Sequence, residues 1–189
     1  MVTINITRDT ATPALRQMLD QVSGRRGHAV MGQAVRVLVR DHLRSKEAQP
    51  NKNNWPKTHF YARARDRVTF AATETQCTVS IALEGMRQRY HGGRIAPVNR
   101  KALTIPLVPE AYGKMAGEFG GSLQFRPAYG GNLIGFLEGT EGSTLEGQAV
   151  FLLVRSVVQP PDPSVIPTPA AMVSAATQAL AKAVERDRR

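Results

Sequence analysis

Ten glycines stand between Tyr112 and Gly147, in a chain that holds sixteen altogether. A glycine inside a helix costs about 1 kcal/mol relative to alanine, so this stretch cannot sustain a long helix. Glycine instead admits the positive backbone angles of tight turns between short strands. Leu123–Phe125 and Leu133–Leu137 are expected as two such strands, with Arg126–Gly131 as the turn between them. Ala149–Val158 is the longest apolar strand candidate, broken only by Arg155 and Ser156. Leu103–Leu107 contains Pro106, which has no N–H for a sheet ladder and so predicts an edge or rim position.

Ahead of this region the periodicity changes. Val2, Ile4 and Ile6 alternate with polar residues, as in a half-buried strand. Thr12-Pro13 has the form of a helix start, and Leu15, Met18, Leu19 and Val22 follow as one apolar stripe. Gly24 and Gly27 flank Arg25 and Arg26 and are expected to interrupt the pattern. A second, more apolar helix carries Val30, Ala34, Val37 and Leu38, ends near Leu43, and is expected to lie against a sheet. Pro50 and Asn51–Asn54 close it in a polar loop. Trp55, the only tryptophan, sits in that loop before Pro56; such an aromatic pins a loop to the core or to a neighbouring subunit, the core being the favoured anchor. Arg67–Ala72 and Gln76–Leu83 are rich in strand formers and predict a hairpin through Thr73-Glu74-Thr75.

Pro160-Pro161-Asp162-Pro163, continuing to Pro167 and Pro169, predicts an extended segment, because proline fixes its own backbone and restricts its predecessor. Ala170–Arg189 then has Met172, Ala176, Leu180 and Val184 at helical spacing. The architecture expected is α+β: an antiparallel β-sheet packed against N-terminal helices within residues 1–159, then a Pro-rich arm and a C-terminal helix in residues 160–189. Regular βα alternation is absent, which argues against a doubly wound nucleotide fold. An arm of this kind is a means of reaching a neighbouring subunit.

Lysine and arginine number 25 against 15 acids, a formal charge of +10. Arg63, Arg65 and Arg67 form one dense stretch, and Arg87, Arg89, Arg94, Arg100 and Lys101 another. Interleaved charges of this kind form a solvated face as readily as a partner surface; where a partner is involved, DNA phosphates and an acidic protein neighbour both suit, and charge does not divide the two. No apolar run approaches the ~20 residues of a membrane span, and no secretory leader pattern opens the sequence, so a protein made inside the cell is expected.

Chemistry-bearing patterns are sparse. Phosphate-binding glycine loops, dinucleotide fingerprints, His-Glu-x-x-His helices and Gly-x-Ser-x-Gly elbows are missing. His28, His42, His59 and His91 have no ligand spacing, and Cys77 is expected as a small apolar strand residue. Asp66, Glu74 and Glu84 are the best carboxylates for a metal-dependent nuclease, though their spacing matches no such signature. No catalytic residue, metal ligand or cofactor site is therefore assigned, and no enzymatic activity is expected. Tyr90-His91-Gly92-Gly93-Arg94 is the most distinctive short string. Its paired glycines fit a tight turn ending a helix or strand better than an anion-binding nest.

The order of these strings carries a resemblance. The initial strand, paired helices and Trp55-Pro56 loop precede a hairpin and Gln88-Arg89-Tyr90-His91-Gly92-Gly93-Arg94-Ile95. Lys101–Leu107, Glu110-Ala111-Tyr112-Gly113 and Leu152–Val157 follow, before a Pro-Pro segment. This succession resembles the virion morphogenesis proteins of Mu-like tailed phages, related to tail-completion and neck proteins, over roughly residues 1–185. The resemblance implies a non-enzymatic structural protein that completes or caps the tail and helps join it to the filled head. It implies a homo-oligomeric ring, six copies being the expected number, with other phage neck and tail proteins as partners. It implies the virion neck or tail as location, with host cytoplasm during assembly and no membrane. Because a conduit must let DNA slide, much of the positive charge is expected to face acidic partner proteins, a minority at the bore making non-specific contact with genomic DNA. Trp55, Arg87, Arg89, His91, Gly92, Gly93, Arg94, Pro160, Pro161, Pro163 and Pro167 are the interface candidates. The competing expectation is a basic DNA-binding protein acting as a monomer or dimer.

Overall fold

Helix α1 runs unbroken from Gly24 to Ala48 in the computed structural model, which describes Arg16 and residues 23–51 and 53–186. The strand expected at Val2–Ile6 and the helix expected from Thr12-Pro13 to Val22 lie outside the described residues, Arg16 apart. Gly24 stands at the break expected there, while Gly27 lies beyond it inside the new helix. Gly24 takes a positive φ of 70° at the entrance, and Gly27 is buried within the first turn. The helix start has an acidic partner from elsewhere in the chain: the Arg25 N–H donates to Glu74 Oε2 at 3.0 Å. An anion there offsets the positive end of the helix dipole.

The chain folds as two compact units whose segments interleave. Among the described residues, one gathers 23–46, Tyr61–Glu84 and 166–186; the other gathers Glu47–Phe60 and Gly85–Val165. The boundary expected at 159/160 does not separate them.

In the first unit, α1 lies on a two-stranded antiparallel sheet, as its apolar face requires. Helix α2 (Phe60–Asp66) leads into β1 (Val68–Ala72), which pairs with β2 (Cys77–Ile81) in a register running from Val68 opposite Ile81 to Ala72 opposite Cys77. The hairpin turn is the one expected: the Thr73 N–H donates to the Gln76 carbonyl at 2.9 Å, and the Gln76 N–H donates to Thr73 Oγ1 at 3.2 Å. Gly32 is where helix and hairpin come closest. A Cβ there would stand 2.8 Å from the Phe70 ring and 3.2 Å from Cys77 Cβ. Val39, Leu43, Ala64 and Val68 are buried in this unit. Leu43 and Ala64 are wholly inaccessible, so hydrophobic burial fixes α1 and α2 where they are.

In the second unit, short helix α3 (Met86–His91) precedes β3 (Gly93–Ile95) and β4 (Leu103–Pro106). Strands β5 (Leu123–Gly130), β6 (Leu133–Gly139) and β7 (Ala149–Val154) follow. The four-stranded sheet is antiparallel in the order β4-β7-β6-β5. Both of its outer strands carry a proline, Pro106 in β4 and Pro127 in β5, since an edge is where a missing N–H is tolerated. The Arg126–Gly131 segment is thus not the turn expected. β5 continues through it with a register shift between Pro127 and Gly130, and the turn narrows to Gly131-Asn132. Ala111, Val150 and Phe151 form the buried centre, with the Phe119 ring edge-on to Phe151 at 5.6 Å.

Ala149–Val158 is likewise two strands instead of one. β7 stops at Val154, and β8 (Val157–Gln159) pairs with β3 in a separate sheet. The Asn132 side chain holds the break: Oδ1 accepts the Ser156 N–H at 3.0 Å while Nδ2 donates to the Ser156 carbonyl. The Arg155 N–H also donates to the Asn132 carbonyl at 2.9 Å. One asparagine side chain therefore takes up backbone groups that a continuous ladder would have paired.

Helix α4 (Pro169–Arg186) belongs to the first unit and begins with proline, after Thr168, whose Oγ1 accepts the Ala171 N–H. None of its residues is buried; Met172, Ala176, Leu180 and Val184 are half-covered. The architecture is α+β with antiparallel sheets and a C-terminal helix, as the sequence predicts. Among the described residues, no helix is long and apolar enough to cross a membrane.

Candidate interface surface

Two of the three segments singled out in the sequence meet in the second unit. Helix α3 ends at Gly92, whose N–H donates to the Gln88 carbonyl at 2.8 Å. The Gln88 amide returns a bond from Nε2 to the Gly92 carbonyl at 3.0 Å. The paired glycines therefore end a helix, the plainer of the two readings. Gly92 (φ 67°) and Gly93 (φ 116°) both sit where side chains are disfavoured. β3 starts directly, with Gly93 opposite Gln159, Arg94 opposite Val158 and Ile95 opposite Val157.

The proline segment continues from β8 across the end of α3. A Cβ on Gly92 would stand 2.5 Å from the Pro161 nitrogen and 2.6 Å from the Gln159 carbonyl oxygen. The Asp162 N–H donates to the Arg89 carbonyl at 3.0 Å, and the chain then makes a short 3-10 turn at Pro163–Val165. Val165 is completely inaccessible, so this stretch is anchored on its own unit. Pro160, Pro161 and Pro163 remain exposed there, whereas Pro167 is buried and counts with the first unit.

Side chains on this surface differ in their freedom. Arg87, His91 and Arg94 are exposed. Arg89 is half-buried, with its guanidinium 4.6 Å from the centre of the Phe60 ring. The Tyr90 and His91 rings meet edge to face at 4.9 Å. Val158 is 78% exposed although it is apolar and belongs to a strand. Among the described residues, neither strand of the β3–β8 pair has another strand beside it, so each presents an unpaired edge. Trp55 is in the same unit but elsewhere: half-buried, it packs edge-on against Tyr112 at 5.5 Å. Asn51 secures its backbone, Oδ1 accepting the Trp55 N–H at 2.8 Å and Nδ2 donating to the Trp55 carbonyl at 2.7 Å. The tryptophan is a pin within its unit, and Tyr112 is the partner that sequence reasoning missed.

The carboxylates weighed for metal chemistry do not converge. Asp66 precedes β1 and Glu74 lies in the turn after it, so a strand of about 17 Å separates them. Glu74 serves the start of α1, and Asp66 accepts from Arg65 Nε at 2.9 Å with Arg40 at 3.9 Å. The Arg65 hydrogen bond, reinforced by the charges of Arg65 and Arg40, holds the Asp66 carboxyl below its ordinary range. Among the described residues, no group of three or more His, Cys, Asp or Glu side chains is placed to hold a metal ion. Histidines serve local structure: His28 Nδ1–H donates to the Gly24 carbonyl, and His59 Nδ1 lies 3.0 Å from Glu47 Oε1.

A cavity of about 380 Å³ opens in the second unit, lined by Glu110, Lys114, Phe119 and Leu123 together with Ser143 and Leu145. Ser143 Oγ is buried without a hydrogen-bond partner. Comparison with protein-family descriptions, with curated proteins and with solved structures finds no match.

Proposed function

We propose that this chain is a structural component of a tailed-phage virion that completes or caps the tail and joins it to the head as a subunit of a ring, without catalysis. In the sequence it is supported by the order of strings, which resembles that of the Mu-like morphogenesis proteins. The observation that supports it in the fold is the β3–β8 pair, whose edges are unpaired among the described residues and which carries an apolar, 78% exposed Val158. An exposed edge beside an apolar side chain invites strand addition by another chain, and a single-domain monomer normally blunts such an edge. When the contact joins two different surfaces of identical subunits, it closes into a ring if the rotation permits. Exposed Arg87 and Arg94 border the same pair and suit acidic neighbours in the neck or tail.

A second reading, a basic DNA-binding protein working as a monomer or dimer, draws on the arginines of the first unit. Imaging the purified virion at side-chain resolution separates the two. The ring reading expects this chain in repeated copies at the neck, with β3–β8 in a subunit contact; absence of the chain from the particle would refute it.

A further inference from the structure

Several arginines of the first unit meet where α1 passes the α2–β1 junction. Arg36, Arg40 and Arg44 follow one another at single-turn spacing along α1. Arg36 Nε donates to the Val68 carbonyl at 3.3 Å, which ties the row to the start of β1. Arg40 reaches Asp66 at the end of α2, where Arg65 is also bound. Arg63 lies one turn before Asp66, and Arg67 follows it, its Nη1 donating to the Ala82 carbonyl at 3.2 Å. Six arginines thus stand along α1 and the α2–β1 junction, where Asp66 is held by Arg65 and Arg40, and Asp41 pairs with Arg44 at 3.1 Å. Arg44, Arg63 and Arg67 are exposed, and Arg40 retains 34% of its side-chain surface.

We infer that this face, formed by α1 and the α2–β1 junction, binds the phosphate backbone of duplex DNA without reading its sequence. The composition is all arginine, whose planar fork takes phosphate oxygens two at a time. The arrangement is also regular. Residues four apart rise about 6 Å on a helix, so Arg36 to Arg44 spans about 12 Å, while phosphates recur every 3.4 Å of axis along one DNA strand. A cluster of guanidiniums that outnumbers its neighbouring carboxylates suits a uniformly charged polyanion. Nothing in this inference needs a ring: a monomer that bound DNA through this face would refute the ring and leave the inference standing.

The test uses the full chain and a labelled duplex of about 20 base pairs, followed by fluorescence anisotropy from about 50 to 200 mM salt. R44Q/R63Q/R67Q is expected to weaken binding at least tenfold and to flatten the log–log salt slope by about 2 to 3, one contact per arginine. The charge-matched triple R87Q/R94Q/R100Q, in the second unit, is expected to change the affinity by less than about twofold. Asp66→Asn removes a carboxylate from the face and is expected to tighten binding, a gain that misfolding cannot produce. Equal weakening by both triples, or an unchanged slope in the first, would overturn the assignment. Displacement of the duplex by polyglutamate as readily as by unlabelled duplex of equal charge would also overturn it, in favour of an acidic protein partner.

Discussion

Gly92 passes so close to Pro161 that no side chain fits between them: a Cβ on residue 92 would stand 2.5 Å from the proline nitrogen. That approach joins the end of α3 to the segment leaving β8. Gly92→Ala meets both a positive φ, worth about 1–2 kcal/mol, and backbone that cannot give way. Gly93→Ala meets the φ alone, since its Cβ would find only the Gln88 amide at 3.5 Å. Urea unfolding is expected to show Gly92→Ala losing more than about 2 kcal/mol and Gly93→Ala roughly half as much. Equal losses would contradict the packing described.

Glu74 acts on a helix far from it in sequence. Its carboxylate accepts the Arg25 N–H at the start of α1, so Glu74→Ala leaves a first-turn donor without its acceptor. A loss of about 1 kcal/mol in thermal or urea unfolding is expected, with Glu74→Gln intermediate because it keeps an acceptor but no charge.

Asp66 gives the fold an acid-side pH dependence. Its folded-state pKa lies below the ordinary value near 3.9, so its stabilisation is present above that value and fades as pH falls through the folded pKa. Asp66→Asn is therefore expected to be slightly less stable than the parent at neutral pH, the difference shrinking as pH falls through the folded pKa. A difference that grew on acidification would have the wrong sign. The same substitution is expected to strengthen DNA binding, so stability and affinity move in opposite directions.

Asn132 closes the β6 start and the β7–β8 break together. Asn132→Ala frees the Ser156 N–H and carbonyl, with an expected loss of about 1–2 kcal/mol. Hydrogen exchange of β8 amides is expected to accelerate more than that of β6 amides. Ser143→Ala is the contrasting case: its buried Oγ has no partner, so removing it is expected to be neutral or to stabilise by up to about 1 kcal/mol.

Local signals carried much of the fold into view. The β1–β2 hairpin, Pro106 at an edge and the apolar face of α1 against a sheet all follow from alternation, proline chemistry and helical spacing. What escaped was set by contacts distant in sequence. Gly27 looks like part of a helix break, yet it is buried in the first turn of α1, whose start Glu74 completes. Arg126–Gly131 looks like a turn because Pro127 and Gly130 are turn residues, yet an edge strand accepts both. The pause at Arg155-Ser156 is visible in composition, but the Asn132 side chain that turns it into a strand break lies 24 residues away. For the surface, Gly92-Gly93 announces a tight turn, while its pairing with the proline segment depends on β3 meeting β8. Arg63, Arg65 and Arg67 stand out as a charged run, but only the fold brings them to the row at Arg36, Arg40 and Arg44.

Whether identical copies of this chain clasp one another is decided most directly by native mass spectrometry of the purified protein, alone and mixed with purified tails. The account predicts one closed assembly of six subunits and its dispersal by Val158→Glu, which places a charge at the open edge of β8. Monomers or dimers under both conditions, or a hexamer indifferent to that substitution, would contradict it.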